Sequence, residues 1–280
     1  MCLCLGIFFT GTAQTHPRIG LCLSGGGALG FAHIGALQAL KENGIVPDEV
    51  SGSSMGAIVG CLYAAGYSPQ EMLQMVKTQK LYQTYRLFSP YKHNNKSGYT
   101  THETLKKFLM RYLPANSFDS LKIPLYVCVS NMMSRKYSIL STGGNLVQWV
   151  VASASIPVLC EIVNIEDSSY LDGGLYNNLP AQPLSKNCDI IIGVDVTPYE
   201  FDCIPANTPF NALLLSVRAV LDQNTRQGKK LCHHLIVPEA VKDYNEMSFK
   251  YYKEIYNYGY TATLEYLVKH PSLKQKTCRE

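Results

Sequence analysis

The sequence predicts an α/β fold in which helices cover a largely parallel central sheet. Short apolar runs alternate with stretches of helical periodicity along the chain, as in proteins whose parallel strands are joined by helices. The clearest of these runs is 189–196 (DIIIGVDV), which has the composition of a buried strand. Glycines and prolines between the runs mark where elements end.

Three predicted strands lead directly into polar or glycine-rich turns. The first, 18–24 (RIGLCLS), is followed by Gly25-Gly26-Gly27. The strand at 50–52 leads into Ser53-Ser54-Met55-Gly56, and the strand at 170–171 leads into Asp172-Gly173-Gly174. The remaining strands are predicted over 125–129, 137–140, 162–165, 189–196 and 235–237.

The helices are predicted from their apolar spacing and their end signals. Ser68 and Glu71 form a capping box with Pro69 at the first helical position, and Thr100 with Glu103 repeats the box. Helices are predicted over 28–43, 55–65, from 68 onward, around 105–112, and over 146–153, 209–227 and 251–269.

Composition excludes several classes of protein. The 280 residues are 46% hydrophobic and 16% charged, which is typical of a globular protein with a well-filled core and not of a disordered chain. The net charge of +4 is small and the sequence contains no basic block, so no nucleic acid is expected as a partner. The ten cysteines form no CxxC pair and are expected to be buried free thiols, and neither metal nor other cofactor is expected.

The domain organisation is predicted to be one catalytic domain, 18–280, preceded by residues 1–17. That first segment is either a signal peptide or a disordered N-terminus, because it has a short apolar stretch and small residues but no positive start. A signal would make the protein periplasmic, or secreted and membrane-associated. Without one the protein is expected to be cytoplasmic.

Gly25, Gly26 and Gly27 suit two kinds of anion site. With Gly30 they satisfy the dinucleotide pattern GxGxxG, but that site also requires an acidic residue closing the second strand, and Asp48 precedes the strand instead. Alternatively, their backbone N–H groups and the following helix dipole form an oxyanion hole for acyl transfer. The glycines alone leave both roles open.

Ser54 is the candidate nucleophile. It is the central residue of a G-x-S-x-G pentapeptide at a strand-to-helix junction, where the nucleophile sits on a sharp turn and the flanking residues must be small. Ser53 would point to the other side of the turn. Asp172 is the candidate base, since it ends a short strand and is followed by two glycines that let a substrate approach.

Together these segments resemble a known family. SGGGALGFAHIGAL, GSSMGAIVG and DGGLYNNLP are similar to the three sequence blocks of the patatin-like phospholipases, in the family's order, and the chain resembles the bacterial patatin-like serine esterases over 19–196. The resemblance implies a three-layer α/β/α sandwich. It also implies a dyad of Ser54 and Asp172 without a catalytic histidine, and an oxyanion hole lined by Gly25, Gly26 and Gly27.

The function implied is that of a serine hydrolase, a lipid acyl hydrolase of phospholipase A type that cleaves carboxylic esters in lipid catabolism. Leu29 stands where most members carry Arg or Lys, which is expected to weaken head-group attraction and to leave the backbone donors unchanged. Because the base would be a carboxylate, activity is expected to persist below the pH at which histidine enzymes lose theirs.

Two alternative functions stay open. An α/β-hydrolase triad is matched in chain order by Ser54, Asp172 and either His233 or His234, although only one clear strand precedes the serine. A nucleotide-binding protein built on the glycine loop is the other alternative. His33 is expected to be a packing residue of the first helix.

The expected partner is a lipid or acyl-ester substrate, with peripheral contact to a membrane surface. Residues 81–99 (LYQTYRLFSPYKHNNKSGY) combine aromatic and basic side chains and contain no acidic residue. Such a mixture suits the lipid–water boundary.

Overall fold

A computed structural model describes residues 16–83, 89–90, 98, 100–198 and 207–277. The predicted signal segment, apart from its last two residues, and most of the predicted interfacial loop 81–99 lie outside the described residues. The strands are β1 Ile19–Leu23, β2 Glu49–Ser53, β3 Ser89–Pro90, β4 Thr100–Thr101, β5 Leu125–Asn131, β6 Lys136–Leu140, β7 Val163–Ile165, β8 Ser168–Asp172, β9 Ile190–Val194 and β10 His234–Ile236. The α-helices are α1 Phe31–Glu42, α2 Met55–Ala64, α3 Pro69–Thr78, α4 Glu103–Tyr112, α5 Leu146–Ser153, α6 Pro209–Leu231, α7 Tyr252–Lys269 and α8 Pro271–Thr277.

The central sheet has the strand order β10-β9-β1-β2-β5-β8-β7, with β6 also paired to β5. The five strands from β10 to β5 are parallel, whereas β8, β7 and β6 are joined by antiparallel pairs. The predicted largely parallel sheet is therefore confirmed, with an antiparallel region at one edge. β3 and β4 form a separate two-stranded pair.

Both faces of the sheet are covered. All five residues of β1 are buried. Leu21 and Leu23 pack into the main core with α1 and α2, while Cys22 faces a smaller cluster that includes Leu179 and Ile191. The end of α6 packs on that second face, so helices and connecting segments enclose the sheet from both sides. This arrangement is the expected three-layer α/β/α sandwich.

The antiparallel pairing of β8 determines where the site forms. Ser53, at the end of β2, is opposite Cys128 of β5, and the next residue of β5, Val129, is opposite Asp172 at the end of β8. Because β2 and β8 run in opposite directions on either side of β5, their ends meet at the same level of the sheet. The turn after each strand therefore opens onto one common place.

Two local predictions need correction. The first helix does not start at residue 28, because Gly27–Gly30 form a 3-10 turn ahead of α1. The capping box predicted from Thr100 and Glu103 is wrong: the residue before α4 is His102, and it makes no side-chain cap. Thr100 lies in β4 and donates its hydroxyl to the carbonyl oxygen of Leu159. The capping box of Ser68 and Glu71 is present at α3.

Within the part of the chain that is described, no helix is both long and apolar enough to cross a membrane. The six cysteines in that part are free, and four of them are buried. No group of three or more His, Cys, Asp or Glu side chains among the described residues could hold a metal ion.

The packing of α1 on α7 requires glycine on both helices. A Cβ atom at Gly35 would overlap the carbonyl oxygen of Tyr256, and one at Gly259 would overlap that of Ala32. The two helix backbones therefore approach more closely than any side chain allows.

Replacing Gly35 with Ala should destabilise the protein by about 1–3 kcal/mol, because the added methyl group must push α7 away from α1. Urea unfolding would measure the loss. Gly144→Ala is the control, since a Cβ atom there comes only within 4.0 Å of the Asn116 oxygen. Equal stability of the two variants would contradict the close crossing.

Candidate active site

Ser54 sits on a strained turn between β2 and α2. Its φ of 53° and ψ of −124° are backbone angles that non-glycine residues rarely adopt. A Cβ atom at Gly52 would overlap the backbone of Gly56, and one at Gly56 would overlap the carbonyl oxygen of Leu23. The two glycines of the pentapeptide are therefore required by the close approach of α2 to the ends of β1 and β2.

Hydrogen bonds from α5 hold this turn in place. The backbone N–H of Ser54 donates to the hydroxyl of Ser153 at 2.9 Å, and that hydroxyl donates to the carbonyl oxygen of Cys128 at 2.6 Å. Ser153 thereby connects the turn to β5. Sequence analysis did not identify this residue, because a serine at the end of a helix has no distinctive signal.

The side chains of Ser54 and Asp172 are in direct contact. The Ser54 hydroxyl donates to Oδ2 of Asp172 at 2.6 Å, while the backbone N–H of Gly174 donates to Oδ1 at 2.9 Å. The two residues are only 5% and 7% exposed. A Cβ atom at Gly173 would overlap the Cys128 carbonyl oxygen, so the glycine after Asp172 is needed for the tight turn that positions the carboxylate.

Burial changes the acidity of this carboxylate. It raises the pKa of Asp172 to about 6, because the charged form loses its hydration, and the hydrogen bonds from Ser54 and Gly174 only partly oppose that rise. The sequence predicts that a carboxylate base keeps its activity below the pH at which histidine enzymes lose theirs, and a pKa of about 6 leaves little of that difference in pH. An acid of pKa about 6 titrates close to an ordinary imidazole.

The three glycines after β1 differ in the hydrogen bonds that their backbone N–H groups make. Gly25 donates its N–H to the backbone oxygen and to Oδ1 of Asn178, both at 3.2 Å. Among the described residues, the N–H groups of Gly26 and Gly27 have no hydrogen-bond acceptor. These two residues have φ of 149° and 53°, which only glycine adopts easily. The N–H of Gly25 is thus engaged within the protein and holds the loop in place, whereas those of Gly26 and Gly27 are unengaged in the part of the chain that the structure describes.

Asn178 is a residue whose role sequence analysis did not assign, although it lies in the DGGLYNNLP segment. It is fully buried, and its amide donates to Thr225 of α6 at 3.0 Å and to Thr197 at 3.4 Å. The asparagine therefore links the glycine loop to α6. Leu29, by contrast, is 1% exposed and belongs to the main core, so the side chain that replaces the usual basic residue does not line the site.

Ser54 and Asp172 face an apolar cavity, the first cavity, which encloses about 870 Å³ including its open mouth. Its floor is formed by the glycine loop and the two side chains of the pair. Its walls come from the segment after α5, the turn after β8, helix α6 and the segment before α7, through Ile156, Pro157, Val158, Leu159, Leu175, Leu213, Leu214, Val217, Leu221, Glu246 and Met247. Such a lining suits a hydrocarbon chain.

The residues required by the alternative functions lie elsewhere. His233 accepts a hydrogen bond from the backbone N–H of Ile191, and His234 contacts the Tyr266 hydroxyl at 3.2 Å. Neither lines the first cavity. Asp48 accepts from the backbone N–H of Ile19, at the opposite end of β1 from the glycine loop, so it is not placed to hold a ribose.

Comparison with known proteins finds both a matching family model and sequence relatives. A family model described as patatin-like phospholipase matches residues 21–185. A lysophospholipase, nte1, of Emericella nidulans is 28% identical over 278 residues, which cover 90% of this chain and 18% of that protein. An uncharacterised NTE family protein of Mycobacterium bovis is 31% identical over 188 residues, covering 67% of this chain and 51% of that one. The chain thus spans about a fifth of the fungal relative.

Among solved structures, that of VipD from Legionella pneumophila has 17% sequence identity and a TM-score of 0.49, covering 91% of this chain and 67% of that one. The family-model match defines the class, that of patatin-like phospholipase domains, and it extends over more than half of the 280 residues. The chain belongs to the patatin-like phospholipase family, as its three sequence blocks predicted.

The raised pKa of Asp172 predicts a pH-dependent effect on stability. Since the folded-state pKa is about 6 and the unfolded value about 3.9, the folded protein binds the proton more tightly, and stability falls as pH rises between them. The buried carboxylate is thus destabilising above pH 6. Asp172→Asn should raise the free energy of unfolding on the order of 1–3 kcal/mol near pH 7.5, and much less near pH 4.5.

Urea unfolding of both proteins at the two pH values measures this difference. An equal gain in the free energy of unfolding at both pH values would show that ionisation of the Asp172 carboxylate is not the cause. A loss of stability at neutral pH would contradict the assigned burial.

Proposed function

We propose that this chain is a lipid acyl hydrolase of phospholipase A type, with Ser54 as nucleophile and Asp172 as its base. The observation that carries the proposal is the 2.6 Å hydrogen bond from the Ser54 hydroxyl to the Asp172 carboxylate, on a strained turn facing the first cavity. A serine activated by a neighbouring base is the arrangement that covalent acyl transfer requires.

The first half of the reaction follows from this geometry. Asp172 accepts the Ser54 proton while Oγ attacks the ester carbonyl carbon, and the carbonyl oxygen becomes an oxyanion. The N–H groups of Gly26 and Gly27 donate to that oxygen. The tetrahedral intermediate then expels the alcohol, which takes the proton from Asp172, and leaves the acyl group on Ser54.

Water completes the cycle. Asp172 takes a proton from the attacking water, the second tetrahedral intermediate forms at the same donors, and its collapse releases the fatty acid as the proton returns to Ser54. A carboxylate is a weak base for a hydroxyl in water. The raised pKa of Asp172 makes the carboxylate a stronger base, and the N-terminus of α2 behind Ser54 stabilises the negative charge that develops on the serine oxygen.

The apolar first cavity supports a lipid as substrate. Its mouth includes Val158, which is 49% exposed and has a positive φ of 69°. An exposed apolar side chain beside an apolar cavity is suited to contact with a lipid surface, from which an acyl chain enters. The relatives named as lysophospholipases support the same substrate class for this chain.

Ser54→Ala should abolish both hydrolysis of p-nitrophenyl acyl esters and labelling by a fluorophosphonate, a loss of up to roughly a million-fold. Ser53→Ala is the matched control. The Ser53 hydroxyl is buried and has no hydrogen-bond partner among the described residues, so its removal should leave the rate nearly unchanged. The reverse result, activity in the Ser54 variant and none in the Ser53 variant, would refute the nucleophile.

The Asp172→Asn variant should lose nearly as much hydrolytic activity as Ser54→Ala, because the two residues of the dyad act as a unit. His233→Ala and His234→Ala test the triad alternative and should retain activity. Loss of activity in either histidine variant, with activity kept in Asp172→Asn, would favour a triad hydrolase.

The pH profile of kcat/KM on a soluble ester should have an acid limb with its midpoint near pH 6. Activity requires the Asp172 carboxylate, whose pKa is about 6, so the rate falls as the pH drops through that value and the base becomes protonated. Stopped-time assays across the acid range measure the midpoint. A limb centred below about pH 5 would show that the base is a carboxyl group of ordinary pKa.

A further inference from the structure

A second apolar cavity reaches the same serine from the other side. Its inner part touches Ser54 and Gly27, which also line the first cavity, and is walled by Met55, Ile58 and Leu105. This inner part alone encloses about 550 Å³ including open space. The site therefore has two apolar spaces that meet at one nucleophile.

A deeper apolar space adjoins this inner part and lies within the main core, and the two together are called the second cavity. Met55, Ile58, Leu105 and Phe249 line both its inner part and a deeper part. The deeper part lies between α1, α2, α3 and α4 and is lined further by Phe31, Ile34, Val59, Leu62, Met72, Val76, Leu81 and Phe108. The first cavity, by contrast, runs along α6. The two spaces thus diverge from Ser54 into different regions of the protein.

The lining of the second cavity suits a hydrocarbon chain and not a polar head group. Apart from Ser54, its polar side chains are those of Thr101 and His102, both in the inner part, as far as the described residues show. Nε2 of His102 is already 3.0 Å from both the Ser155 hydroxyl and the Glu161 carbonyl oxygen. The deeper part is entirely apolar in its side chains, so a charged group there would lose its hydration without compensation.

We propose that the first cavity holds the acyl chain that is cleaved and that the second cavity holds a second hydrocarbon chain of the same lipid. This inference rests on the proposed function. The first cavity is assigned to the cleaved chain because Asp172 and the glycine loop line it together with Ser54. Ile58 of α2 and Leu105 of α4 line both parts of the second cavity, and they determine whether a two-chain lipid is accepted.

The test compares lipids with one and two chains. Dioctanoyl phosphatidylcholine and its one-chain lyso form are supplied below their critical micelle concentrations, so that neither presents a surface. Leu105→Trp fills the second cavity from α4. It should lower kcat/KM for the two-chain lipid about tenfold or more, since the second chain loses its contacts, and leave the one-chain lipid within about twofold.

A matched control adds the same bulk outside the cavity. Met110 lies on the same helix and is 58% exposed, so Met110→Trp should change neither substrate. Ile58→Trp fills the second cavity from α2 and gives an independent variant if Leu105→Trp does not fold. Val217→Trp narrows the first cavity and should reduce hydrolysis of both lipids.

Three results would overturn the assignment: an equal loss on both lipids in the second-cavity variants, no loss on either, or a loss on the one-chain lipid alone. The last would place the cleaved chain in the second cavity. Labelling by a small fluorophosphonate separates these results from failure of the proposed function. The second-cavity variants should label like the unaltered protein, whereas absence of labelling in the unaltered protein would refute the nucleophile itself.

Discussion

The close approach of α2 to the ends of β1 and β2 is the constraint on which the rest of the site depends. Gly52 and Gly56 leave no room for a Cβ atom, so the chain must reverse within the pentapeptide and Ser54 must take a positive φ. Such a conformation is unfavourable for serine by roughly 1–3 kcal/mol and persists only where surrounding contacts impose it. The hydrogen bond from Ser54 to Ser153 is one of those contacts.

Burial couples stability to chemistry at Asp172. The same desolvation that destabilises the ionised carboxylate raises its pKa toward that of a useful general base, and the apolar walls of the first cavity belong to the surroundings that exclude water. An exposed aspartate would be better solvated and a weaker base. The fold therefore accepts a destabilising side chain at the point where β2 and β8 end, a trade that is common in active sites.

Much of this arrangement could be predicted from the sequence, because its signals are local. Glycines that follow a strand, a serine between glycines and an aspartate before glycines each reflect a steric requirement within a few residues. What could not be predicted depends on contacts between distant segments: Ser153 and Asn178 act through residues far away in the chain. For the same reason Gly25 could not be separated from Gly26 and Gly27, since its N–H is taken by Asn178. The helix capping box predicted from Thr100 and Glu103 does not form, because Thr100 lies in β4 and its hydroxyl donates to the carbonyl oxygen of Leu159.

The position of Ser54 between two apolar cavities affects which lipids the site accepts as well as the reactivity of the serine. A nucleophile at the end of a single space can select only the chain that enters that space. Ser54 lies where two spaces meet, with Gly27 lining both, so on the proposed assignment one space holds the cleaved chain while the other holds its neighbour. Selectivity can then be altered at Ile58 or Leu105 without moving Asp172 or the glycine loop. The strained turn that carries Ser54 thus also places it between the two cavities.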